Sequence, residues 1–107
     1  MKIKKIKDKL SNLSTEDFLG GFCAVWAWEF WKQNGGNLCN TSYYGGHAFV
    51  KLNDLYYDAG TPGGVSDWRL LSGFNDSRPD VLNAPDGYAE EMSPDEFKKY
   101  WKTHKLT

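Results

Sequence analysis

The sequence has little of what marks a membrane, secreted or nucleic-acid-binding protein. No apolar run approaches the ~20 residues of a membrane-spanning helix, so we expect no membrane contact. The net charge is −1, from 13 basic and 14 acidic residues, which leaves no global attraction for nucleic acid. No apolar stretch follows the charged N-terminus as a secretory signal requires, so we expect a cytoplasmic protein. In that reducing compartment its two cysteines are expected to be free thiols.

Aromatic residues, by contrast, are abundant: they make up 16% of the 107 positions and include five tryptophans. The length suffices for one modest hydrophobic core, which predicts a single domain over residues 1–107. The aromatic rings either fill that core or line a cleft. The sequence contains no C-x-x-C or H-x-x-x-H pair and no phosphate-loop glycine pattern, so we expect neither a metal nor a cofactor.

Two segments have strong helix signals. Residues 22–34 are apolar nearly all round and are followed by Gly35-Gly36, which predicts a helix buried at the centre of the domain. Residues 93–96 (Ser-Pro-Asp-Glu) have the composition of a capping box, which predicts the start of a C-terminal helix. The side chains expected on neighbouring faces of that helix are Phe97, Tyr100, Trp101 and His104.

The N-terminal segment has apolar residues at helical spacing from Ile3 to Leu13, separated by lysines. This helix either packs its apolar face on the domain or serves as a basic arm for nucleic acid. Because no arginine or aromatic residue is interleaved with the lysines, we interpret it as an amphipathic helix packed on the domain.

Two β-prone runs, residues 47–52 and 55–59, flank Asn53-Asp54, and this pattern predicts a β-hairpin. Pairing Leu52 with Leu55 would place His47 and Asp58 on one face as diagonal neighbours, within reach of a carboxylate–imidazole contact. That face carries His47, Phe49, Lys51, Tyr56 and Asp58, and the other, expected to face the core, carries Ala48, Val50, Leu52, Leu55, Tyr57 and Ala59.

The remaining segments are rich in glycine, asparagine and serine and are expected to be mostly irregular. Residues 37–41 and 60–64 are interpreted as loops, and residues 67–71 as a short helix. Residues 72–92 are interpreted mainly as loop, with one short strand near Val81-Leu82. The predicted class is therefore α+β: a buried helix in the N-terminal half, packed on a small antiparallel sheet, with N- and C-terminal helices.

Cys23 opens the predicted central helix, where the helix dipole and the free backbone N–H groups of the first turn favour a thiolate. A histidine can take the thiol proton, and an acidic residue can orient the histidine. The chain from Gly35 to Gly46 is long enough to bring His47 back to the N-terminus of this helix. Taken singly, the cysteine, the histidine and Asp58 each have an ordinary structural interpretation. Together they predict a Cys-His-Asp site.

Three segments carry a family resemblance: Gly-Gly-Phe-Cys-Ala-Val-Trp-Ala, Gly-Gly-His-Ala-Phe-Val-Lys-Leu and Leu-Tyr-Tyr-Asp-Ala-Gly. Their order, with Cys on a helix, His opening a strand and Asp on the next strand, resembles the core of the papain-like cysteine peptidase superfamily. The transglutaminase-like and arylamine N-acetyltransferase-like branches are the most similar. The resemblance covers about residues 18–64. It implies a papain-like core in which Cys23 is the nucleophile, His47 the general base and then acid, and Asp58 the orienting acid.

The sequence has no clear match for the upstream glutamine that often helps to form the oxyanion hole in that superfamily. The backbone N–H of Cys23 is one expected donor. Asn12, Ser14 and Thr15 are the side chains considered for the second donor.

The function expected from these residues is that of a thiol-dependent hydrolase (a peptidase, amidase or deamidase) acting on an amide or acyl bond of a protein or peptide. Acyl transfer to another acceptor, through the same thioester, is the other reaction that this site could perform. The alternative is a catalytically inactive α+β protein that binds a protein partner through its aromatic surface. A reachable Cys23 thiol favours the enzyme, whereas a buried, inert thiol beside exposed aromatic residues favours the binding protein. The side chains expected to contact substrate are Trp26, Tyr43, Tyr44 and Phe49.

Overall fold

The computed structural model describes residues 23–44, 46–101 and 106. The predicted N-terminal helix and His104 lie outside these residues. Within them, the elements in chain order are helix α1 (Cys23–Asn34), strands β1 (Asn37–Thr41), β2 (His47–Leu52), β3 (Leu55–Asp58), β4 (Thr61–Val65) and β5 (Glu90–Met92), and helix α2 (Pro94–Tyr100). Between β4 and β5 the chain forms short 3₁₀ helices over Trp68–Leu70, Ser72–Ser77, Asp80–Asn83 and Asp86–Tyr88.

Helix α1 confirms the predicted central helix. It ends at Gly35, which adopts a φ of +82° and donates its N–H to the carbonyl of Trp31 at 2.8 Å. At the next residue, Gly36, the backbone passes so close to β2 that a Cβ atom would lie 2.6 Å from the carbonyl oxygen of Lys51. The glycine pair therefore both stops the helix and allows the chain to turn directly into the sheet.

The five strands form one antiparallel sheet in the order β4-β3-β2-β1-β5. The predicted hairpin is confirmed in its register, because Leu52 pairs with Leu55 and Val50 with Tyr57. The two turn residues, Asn53 and Asp54, have φ values of 53° and 66°, as the favoured two-residue hairpin turn requires. With this register, His47 and Asp58 lie on the same face of the sheet.

Both faces of the sheet are covered, the face expected to form the core and also the opposite face. One face packs against α1 and α2 through a cluster that includes Ala48, Val50 and Tyr57. The other face, which holds Phe49, packs against the 3₁₀ segments through Trp68 and other residues of a second cluster. The sheet thus lies between a helical layer and an irregular layer, each with its own apolar cluster.

Three segments predicted as loop contain strands. Residues 37–41 form β1, an internal strand whose backbone pairs with β2 and β5. Residues 61–65 form β4 at an edge of the sheet, where a proline without an N–H is tolerated. The end of the segment 72–92 contributes to β5, whereas the strand predicted near Val81-Leu82 is a 3₁₀ helix. Pairing with neighbouring strands creates these strands, which lack the alternating pattern that would have identified them.

Helix α2 confirms the predicted capping box. The Ser93 hydroxyl accepts the N–H of Glu96 at 3.2 Å, and the Glu96 carboxylate accepts the N–H of Ser93 at 3.0 Å. Phe97 is fully buried and stacks on Trp28 of α1, with ring centroids 5.9 Å apart. The class predicted from the sequence, α+β with a helix packed on an antiparallel sheet and a C-terminal helix, is therefore confirmed.

Candidate active site

A buried histidine–carboxylate pair lies where β2 begins and β3 ends. Nε2 of His47 is 2.9 Å from Oδ2 of Asp58, and the two side chains are only 3% and 1% exposed. The hairpin register brings these residues together, although they are eleven positions apart in the sequence. This contact was predicted from the face assignment of the hairpin.

Backbone from the irregular layer completes the surroundings of Asp58. The N–H of Gly73 donates to the same Oδ2 at 2.9 Å. The absence of a side chain at Gly73 is equally important, because a Cβ there would lie 2.2 Å from Nε2 and 2.4 Å from Cε1 of His47. The Gly73 backbone thus holds both members of the pair, donating to the carboxylate and filling the space against the ring.

Cys23, the first residue of α1, contacts the same histidine. Its thiol lies close enough to His47 to raise the histidine pKa through hydrogen bonding and charge. Because Asp58 occupies Nε2, the ring nitrogen that remains for the thiol is Nδ1. The structure therefore brings the three predicted residues together, with the imidazole between the thiol and the carboxylate.

The electrostatics of the pair favour its charged form. Burial by itself would lower the pKa of His47, but the hydrogen bond to Asp58, together with the hydrogen bond and charge of Cys23, raises it to about 9. Burial would raise the pKa of Asp58, but the hydrogen bonds and charge it receives, chiefly from His47, lower it below its usual value. At neutral pH the geometry thus supports an imidazolium beside a carboxylate.

Aromatic rings form the walls of the site. The rings of Phe74 and His47 meet nearly at right angles with centroids 5.0 Å apart, and the centroid of Phe49 lies 6.0 Å from that of His47. Phe49 has no exposed surface, so it packs against the His47 ring instead of facing a substrate, contrary to its predicted role. Trp26 is 8% exposed and stacks on Phe30 in the core beside α1.

Tyr43 and Tyr44 lie in the turn that leads from β1 to His47. Tyr43 is 47% exposed, and its ring stacks on that of Tyr88 at a centroid distance of 3.6 Å. Tyr44 meets Phe74 edge-on, at 6.2 Å, and Phe74 in turn contacts His47. Of the four predicted substrate contacts, these two tyrosines are the ones placed at the surface near the site.

The second cysteine has a different environment. Cys39 lies on β1 and is buried, and burial together with the negative charge of Glu91 raises its pKa to about 12. It lines a cavity of about 270 Å³ with Lys51, Tyr56 and Trp68. Since Lys51 lies four residues along β2 from His47, or about 13 Å, this cavity is separate from the Cys23 site.

Sequence reasoning missed Gly73 and Phe74. Both lie in a glycine- and serine-containing stretch for which the sequence predicts a loop, and their local sequence gives no sign of contact with His47. Gly73 resembles Gly87 in the sequence, yet a Cβ at Gly87 would meet nothing within 4 Å. Only the path of the chain across the sheet distinguishes the two glycines.

No family model, no curated protein and no solved structure matches the chain. Over the described residues, no group of three or more His, Cys, Asp and Glu side chains has an arrangement that could hold a metal ion. The longer of the two α-helices in those ranges has 12 residues, and no helix there has the length and apolar character to cross a membrane. The arrangement of Cys23, His47 and Asp58 is therefore the main observation that bears on function.

Proposed function

We propose that this protein is a thiol-dependent hydrolase that cleaves an amide or acyl bond of a protein or peptide, with the core architecture of the papain-like superfamily. The observation that carries the proposal is the buried His47–Asp58 pair, with the Cys23 thiol close enough to the same imidazole to raise its pKa. In this arrangement the imidazole can take the thiol proton while the carboxylate stabilises the charge that results. The proposed setting is the cytoplasm, where both thiols stay reduced.

The reaction requires two steps at one carbonyl carbon: transfer of the acyl group to Cys23, and then its transfer to water. The Cys23 sulfur attacks that carbon, the carbonyl π electrons move to oxygen, and the thiol proton resides on His47. The tetrahedral intermediate then collapses and the bond to the leaving amine or alcohol breaks. That leaving group takes the proton from His47, and a thioester remains on Cys23. Water attacks the thioester with His47 as general base, releasing the carboxylic acid and restoring the thiol.

A labelling experiment tests whether the thiol is activated. Iodoacetamide is added to native protein at pH 7, and alkylation of Cys23 is followed over time by peptide mass spectrometry. We expect Cys23 to react, and we expect its rate to fall at least tenfold in His47→Gln, because a neutral amide cannot take the thiol proton. His104→Gln, which alters the other histidine of the chain, is the matched control and should react like the wild type.

The proposal fails if Cys23 is inert in the native protein or reacts equally fast in all three proteins. In that case the second function is favoured, a protein-binding role for the aromatic surface. One observation supports this alternative: Cys23 and His47 are only 5% and 3% exposed, whereas Tyr43 is 47% exposed. Partner capture by the wild type, and its loss in Tyr43→Ser, would support the binding role.

A further inference from the structure

Asn40 is a buried polar residue without a structural explanation. It lies on β1, is 3% exposed, and its Oδ1 has no hydrogen-bond partner among the described residues. A buried carbonyl oxygen that accepts no hydrogen bond costs folding free energy that an apolar side chain of similar size would not. Such a group is typical of a position kept for binding.

The sheet register places Asn40 near the thiol. Asn40 pairs with Ala48, and both point toward α1, because residues on alternate positions of β1 and β2 share a face. Ala48 and Cys23 belong to the same apolar cluster beneath α1. The next cross-strand pair, Thr41 with His47, contains the histidine that bonds the thiol. Asn40 therefore lies at the Cys23 end of the sheet, on the face that α1 covers.

The proposed reaction needs two donors for the oxygen of the tetrahedral intermediate. Cys23 supplies one, since the backbone N–H of the first helical residue has no partner within the helix. We propose that Asn40 supplies the second through Nδ2, which would bind the carbonyl oxygen of the acyl donor. This inference rests on the proposed function and requires a substrate whose carbonyl oxygen can reach both donors, as in an amide, ester or thioester.

The carboxamide is suited to this task by its chemistry. Rotation about its terminal torsion exchanges the positions of Oδ1 and Nδ2, so the side chain can present N–H donors to a negatively charged oxygen. The three side chains that the sequence offers for this role, Asn12, Ser14 and Thr15, lie outside the described residues. Asn40 follows them in sequence by more than twenty positions, and only strand pairing brings it to the site.

The test separates acyl transfer from simple alkylation. Hydrolysis of p-nitrophenyl acetate passes through an oxyanion, whereas alkylation by iodoacetamide displaces iodide at a saturated carbon and forms none. We expect Asn40→Leu to lower the rate of Cys23-dependent ester hydrolysis by about 100-fold. The alkylation rate of Cys23 should remain unchanged, and the melting temperature should stay the same or rise. Asn40→Asp, which keeps the shape but removes the donors, should lose hydrolysis similarly.

Asn37→Leu is the matched control, because it makes the same substitution on the same strand at an exposed position. Cys23→Ser provides the background rate of ester hydrolysis. If Asn40→Leu hydrolyses the ester at the wild-type rate while Cys23→Ser does not hydrolyse it, the role of Asn40 is overturned and the proposed function stays intact. Loss of alkylation together with hydrolysis would also overturn it, because Asn40 would then be holding the thiol and imidazole.

Two results on the wild-type protein are also decisive. If it shows neither ester hydrolysis nor His47-dependent alkylation, the proposed function and the role of Asn40 both fail. If alkylation depends on His47 but the ester is not hydrolysed above the Cys23→Ser background, the thiol is activated without an oxyanion site, and the role of Asn40 alone is overturned.

Discussion

The backbone of Gly73 lies against the imidazole of His47 so closely that a single methyl group between them would overlap the ring, at 2.2 Å from Nε2. The same glycine donates its N–H to Asp58, the partner of that nitrogen. One residue of the irregular layer therefore both limits the position of the His47 ring and donates a hydrogen bond to the Asp58 carboxylate. The site is built from the sheet and the 3₁₀ segment together.

We predict that Gly73→Ala displaces His47. Because the ring and its neighbours are buried, the overlap should cost about 1–3 kcal/mol of unfolding free energy. It should also break the contact with Asp58, so alkylation of Cys23 should fall toward the rate of His47→Gln. Gly87→Ala, at a glycine whose Cβ would meet nothing within 4 Å, is the control. Equal stability and equal labelling of the two variants would contradict the close packing.

The two thiols should differ in reactivity in the native protein. Burial and the charge of Glu91 raise the pKa of Cys39 to about 12, so at pH 8 this thiol stays protonated. We expect iodoacetamide to modify Cys23 alone in native protein and both cysteines in urea. Peptide mass spectrometry of the same reaction distinguishes the sites. Modification of native Cys39 at the rate of Cys23 would be inconsistent with these environments.

The His47–Asp58 pair should make stability depend on pH. His47 has its pKa raised from 6.5 to about 9, so its contribution is complete below pH 6.5 and is lost as the pH rises to about 9. The loss should be on the order of 3 kcal/mol of unfolding free energy, measured by urea denaturation between pH 6 and 10. In His47→Gln this decline should largely disappear.

Asp58 should make the unfolding free energy depend on pH on the acid side. Its pKa is lowered from 3.8, so its contribution is present above that value and is lost as the pH falls through the lowered pKa. Asp58→Asn should remove this acid-side decline and also lower the pKa of His47, which an NMR titration of the ring proton would measure. An unchanged histidine pKa in Asp58→Asn would show that the carboxylate does not raise it.

The capping box of α2 should contribute to stability without affecting the site. Ser93→Ala removes the acceptor for the N–H of Glu96 and should cost about 1 kcal/mol of unfolding free energy. Glu96→Gln keeps both capping hydrogen bonds and serves as the control. Alkylation of Cys23 should be the same in both variants. A change of alkylation rate in Ser93→Ala would reveal an unexpected coupling between α2 and the thiol.

Local sequence determined the elements that carry their own signals. The all-apolar run before Gly35, the two β-prone runs around Asn53-Asp54 and the box at Ser93 each contain the residues that start, stop or turn the backbone. The hairpin register follows from its two-residue turn, and the register alone places His47 and Asp58 on one face. This part of the site was therefore predictable without any tertiary contact.

Tertiary structure decided which residues surround the His47–Asp58 pair. Strand β1 exists because β2 and β5 pair with it on both sides, and that pairing places Asn40 near Cys23. Contact between Gly73 and His47 depends on how the segment after β4 crosses the sheet, which no local pattern records. Backbone pairing and close packing join residues distant in the chain, and their energies depend on the partner as much as on the residue itself.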